Sequence, residues 1–69
     1  MTPMYMRRKV SELALVMRLA HNSAKDLQAD LAEDGRMRAA GDLEPIVRDI
    51  EAAIGKLRTL REGETWRGN

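Results

Sequence analysis

The sequence predicts an all-α chain folded as an antiparallel two-helix hairpin, expected to dimerise into a four-helix bundle. Three observations carry that expectation. No Pro or Gly occurs between Pro3 and Gly35, so one long helix can run there. Within it Met6, Val10, Leu13, Met17, Ala20, Ala24, Leu27 and Leu31 are spaced 4,3,4,3,4,3,4, an unbroken heptad seam. A second apolar stripe follows after a short interruption: Leu43, Ile46, Val47, Ile50, Ala53, Ile54, Leu57 and Leu60. No stretch alternates apolar and polar residues as a strand would.

The elements follow in order within a single domain, residues 1–69. Thr2 reads as an N-cap and Pro3 as the first helical residue, where its missing N–H costs nothing. Helix 1 is expected over about residues 3–33, roughly 45 Å at 1.5 Å per residue. Gly35 is the natural C′ residue, where a left-handed backbone ends a helix. A loop is expected over 34–41, and a helical turn through Met37-Arg38-Ala39-Ala40 is compatible with it. Helix 2 is expected over about 42–62, with Pro45 tolerated in its first turn and Gly63 as its stop. Residues 63–69 form a tail, polar except for Trp66. Gly55 is an oddity inside helix 2, reading either as tolerated surface wear or as a point of close approach by another chain.

Composition narrows the functional classes. The chain has 69 residues, 12 Lys plus Arg, 11 Asp plus Glu and no Cys. Disulfide scaffolds and cysteine-based zinc sites are therefore excluded. The net charge of +1 argues against a polybasic nucleic-acid tail. The longest apolar run, Leu13–Met17, is far short of the ~20 residues that span a bilayer, so no membrane partner and a cytoplasmic location are expected. Arg7-Arg8-Lys9 before that run superficially resembles a signal peptide, but Arg18 ends the run and no cleavage site follows.

A chain this short rarely holds more than ~3–5 kcal/mol in its own core, so it needs outside support. The apolar surface is also wider than one seam. Leu15, Val16 and Leu19 lie outside the helix 1 seam, and helix 2 can be read as two stripes, Ile46–Ile50–Ala53–Leu57–Leu60 and Leu43–Val47–Ile50–Ile54–Leu57. Two hairpins packed face to face would bury both sets. Val10, Leu13, Met17, Leu27, Ile50, Ile54 and Leu57 are the expected core and dimer residues.

Charge is divided between the two ends. If Glu33 faces Asp42, the open end carries eight cations against three acids, and the loop end eight acids against four cations. The balances are +5 and −4, so an antiparallel dimer would set basic ends beside acidic ones. In that register helix 1 overhangs helix 2 by about ten residues, Pro3 to Glu12. Tyr5, Arg7, Arg8, Arg61 and Trp66 then gather at the open end as the expected partner-binding set, because Tyr, Trp and Arg dominate interfaces. The loop end around Arg36, Met37 and Arg38 is the second candidate.

Catalytic chemistry finds no support. His21 has no acid at i−4 or i+4 and no second ligand at helical spacing, so it reads as a surface-edge histidine rather than a metal ligand. No serine or threonine stands in a recognisable triad with it, and the five glycines are isolated. Asp26/Asp30 and Asp49/Glu51 read as solvated faces, and two helices make no cleft that could desolvate a carboxylate. No enzyme, metal or cofactor is expected.

The segments RRKVSELALVMRLAHN and DLEPIVRDIEAAIGKLRTLREGETWRGN carry a resemblance of layout over the whole chain. The chain is similar to small phage-encoded anti-activators that block LuxR-type quorum-sensing receptors. Its architecture also resembles the Rop plasmid copy-number regulators, antiparallel hairpin dimers that bind paired RNA loops. The first resemblance implies a homodimer that binds and inhibits another protein, a bacterial regulator, in the host cytoplasm if phage-encoded. The second implies a nucleic-acid-binding regulator, ranked lower because acids are interspersed with the cations. A structural or adaptor subunit is a third reading.

Overall fold

The computed structural model describes residues 3–62. Helix α1 is Pro3–Glu33 and helix α2 is Met37–Glu62, and among the described residues there is no strand. The helices pack antiparallel as one hairpin, with extents of 53 × 15 × 13 Å. The expected all-α hairpin is therefore present. The Thr2 cap, the Gly63 stop and Trp66 lie outside the described residues.

Gly35 ends α1 as expected, with φ +80°. Two bonds define a Schellman turn: the Gly35 N–H donates to the Ala32 carbonyl at 3.1 Å and the Arg36 N–H to the Leu31 carbonyl at 2.8 Å. The Arg36 carbonyl already accepts from the Ala40 N–H at 3.0 Å, so Arg36 is the residue that opens α2. The connection is thus three residues, Asp34 to Arg36, and not the eight expected. Helix 2 starts at Met37 because Met37-Arg38-Ala39-Ala40 are good helix formers that the turn already places in register. Pro45 consequently lies inside α2, not in its first turn. The backbone group it leaves without an intrahelical donor is the carbonyl four residues back, that of Gly41.

The inward residues of α1 are Val10, Ala14, Met17, His21, Ala24, Gln28 and Leu31, and those of α2 are Ala40, Leu43, Val47, Ile50, Ile54, Leu57 and Arg61. In heptad letters, Ala14, His21 and Gln28 are a and Val10, Met17, Ala24 and Leu31 are d; in α2, Ala40, Val47, Ile54 and Arg61 are a and Leu43, Ile50 and Leu57 are d. The seam within the chain is therefore displaced from the expected one. Val10, Met17, Ile50, Ile54 and Leu57 lie in it half-buried. Leu13 and Leu27 do not: they are 49% and 50% exposed on its flank, at position g. Small side chains explain the shift, because Ala14 and Ala40 let the backbones close together, while Gln28 finds a carbonyl to bond. Of the two stripes on α2, Leu43–Val47–Ile50–Ile54–Leu57 faces α1 and Ile46 stands out of the contact.

Register moves as well. His21 meets Glu51 and Gln28 meets Glu44, so the expected pairing of Glu33 with Asp42 is off by about three residues. The end of α2 then reaches Val10, and the overhang of α1 is about Pro3 to Lys9 rather than ten residues. The core is small. Among the described residues only Ala14, Ala40 and Val47 are buried, and no large side chain is fully enclosed.

Candidate functional site

In an antiparallel helix pair, e positions face e positions and g faces g. The two sides of this hairpin differ accordingly. On the e side the helices are tied by polar groups. His21 Nε2 donates to Glu51 at 2.9 Å; a carboxylate can only accept, so Nε2 carries the proton. Gln28 Nε2 donates to Glu44 at 3.0 Å and to the Ala40 carbonyl at 3.1 Å. The bond from Gln28, and then the charge of Arg48 3.3 Å away, hold the Glu44 carboxyl below the usual carboxylate range. His21 is thus not a surface-edge residue without an acid: its acid comes from the other helix, which spacing along one helix cannot reveal.

Toward the open end the e side turns basic. Arg18, Arg58 and Arg61 surround a shallow depression floored by Ala14, Ile54 and Leu57. Arg61 approaches Glu62 only at 3.7 Å, and among the described residues Arg18 and Arg58 have no ion pair. Of the expected partner-binding set, the structure brings Arg61 to this depression. Arg7 and Arg8 lie about one turn further out on α1, exposed. Tyr5 lies there too, with Lys9 Nζ 5.6 Å from its ring centroid and Lys9 in turn 3.8 Å from Glu12. Trp66 falls outside the described residues. Arg18 and Arg58 were not singled out by the sequence. Their signal was available in the heptad register, which assigns both to position e once Ala14 and Ile54 are taken as a.

The g side is apolar. Leu13, Ala20 and Leu27 lie along it on α1, and Ile46 and Ala53 on α2; Leu13, Leu27 and Ile46 are each about half exposed. Leu15 and Leu19 form a smaller patch on the back of α1, exposed by 58% and 59%. At the loop, Met37 is 65% exposed and Arg36 is held by Asp34 at 2.8 Å.

Among the described residues no three His, Asp or Glu side chains converge as a metal site would need, and no helix is long and apolar enough to cross a membrane. No protein-family model, no curated protein and no solved structure matches this chain.

Proposed function

We propose that this chain is a non-enzymatic interaction protein that works as a dimer of hairpins, a four-helix bundle, and binds and inhibits another protein. One observation carries the reading. Among the described residues only two alanines and a valine are buried, while eleven large apolar side chains stay exposed along a hairpin 53 Å long. A helix pair of this kind is stabilised by what it docks against. The basic open end sets Arg18 and Arg58, which have no ion pair among the described residues, beside Arg61, Arg7 and Arg8, a group of cations suited to an acidic protein surface. A cytoplasmic bacterial regulator of the quorum-sensing type is the target that the resemblance in layout suggests.

The test is capture from bacterial lysate on the immobilised chain, with and without nuclease, repeated with Arg18→Glu/Arg58→Glu. A protein retained after nuclease and lost with the double variant supports the reading. Loss of every partner on nuclease treatment overturns it in favour of nucleic acid.

A further inference from the structure

The unbroken apolar seam of α1 does not point at α2, and α2 carries a second apolar stripe besides the one that faces α1. On α1 the stripe Met6–Val10–Leu13–Met17–Ala20–Ala24–Leu27–Leu31 occupies positions d and g. The contact with α2 uses d and a, where α1 offers Ala14, His21 and Gln28. At ~100° per residue, the centre of the stripe is turned about 60° from the contact, toward the g side. On α2 the stripe Ile46–Ile50–Ala53–Leu57–Leu60 is turned toward the same side. Both helices therefore turn an apolar stripe toward the region beside the hairpin, α1 its seam and α2 its second stripe. That is the direction of the centre of a four-helix bundle, where each helix has one neighbour within its hairpin and one across it.

We infer that the g side is covered by a second copy of this chain, with the two loops at opposite ends. The inference rests on the dimer proposed above and specifies its interface. Three features select a second copy in this orientation. The register that joins His21 to Glu51 sets Leu13 near Leu60, Ala20 near Ala53 and Leu27 near Ile46. The side is thus large–small–large along its length and unchanged by reversal about the alanine layer, as a two-fold interface requires. The long and middle extents, 53 and 15 Å, give this side a projected outline of roughly 800 Å², so the face is long and broad enough to hold an interface of standard size. The charge division then decides between loops together and loops apart: with loops apart, the basic ends lie beside the partner's acidic loop ends. In that arrangement α1 packs on α1 of the second copy and α2 on its α2, with Ala20 near the two-fold axis. The polar e side, with the arginine depression, stays outside.

The chain has no cysteine, so single thiols can be placed at will. Leu27→Glu, on the inferred interface, should weaken self-association by roughly a hundredfold or more in sedimentation, since it puts an unpaired charge in the shared core. Leu19→Glu, on the back of α1, should leave it unchanged. Arg38→Cys carrying a spin label measures orientation in a chain whose interface is untouched. Loops apart predict a label-to-label distance of about 35 Å or more, given the 53 Å length; loops together predict less than about 25 Å, the width of a bundle. A wild-type chain that sediments at 7.8 kDa overturns the dimer itself. A dimer that survives Leu27→Glu and is lost with Leu19→Glu leaves the dimer standing and overturns the face. A short label distance overturns the orientation alone.

Discussion

Gly35 and Gly55 show how differently two glycines in one hairpin behave. Gly35 holds φ +80°, a conformation that strains any residue with a Cβ, so Gly35→Ala is expected to destabilise by about 1–2 kcal/mol in urea unfolding. Gly55 has ordinary helical backbone, and a Cβ there would meet nothing within 4 Å. Gly55→Ala should therefore stabilise by about 1 kcal/mol, and a loss of stability would mean that another chain approaches at that point. Glu44 adds a pH dependence. Its carboxyl is lowered by the bond from Gln28 and by Arg48, so its contribution is present above the ordinary carboxylate value. It is lost as pH falls through the lower folded value. Glu44→Gln should flatten the loss of stability on acidification, read by thermal melts at successive pH values. The sequence alone offered no hint of this residue, because its partner Gln28 sits on the other helix.

At the scale of the element, Pro45 is the exposed weak point of α2. It cannot donate to the Gly41 carbonyl, and its side chain is not in the seam. Pro45→Ala is expected to raise stability by roughly 1–3 kcal/mol, the gain in the folded helix being partly offset by a freer unfolded chain. Hydrogen exchange around 41–46 should slow in the same variant. The existence and limits of α1 were legible from its lack of Pro and Gly, from the unbroken spacing and from Gly35. The start of α2 was not, because Pro45 suggested a first turn. The Schellman turn instead delivers the chain into helical register at Met37, and α2 accepts the interruption.

At the scale of the whole molecule, the proposed dimer makes stability depend on association. The melting temperature is expected to rise with protein concentration, as it does when folding and assembly are linked. Ile50→Asp places a charge in the half-buried seam and should abolish cooperative unfolding, measured by circular dichroism. Arg7→Glu with Arg8→Glu changes exposed residues beyond the described end of α2, so helicity and mass should be preserved while binding to the proposed protein partner weakens. Added salt should weaken that binding moderately, since exposed charges are screened beyond ~8 Å.

By itself the sequence determined two helices, their heptad spacing, the glycine that ends the first and the separation of charge between the ends. These follow from local rules: which residues tolerate helix, and which recur on one face. Only the tertiary structure decided which part of each wide stripe meets the other helix, because that depends on the pair. Ala14 and Ala40 permit close approach, and Gln28 and His21 find Glu44 and Glu51 only in one register. That choice leaves Leu13, Leu27 and Ile46 on the open side and gathers Arg18, Arg58 and Arg61 on the other. Each helix taken alone carries the same stripes; the contact between them assigns each stripe its side.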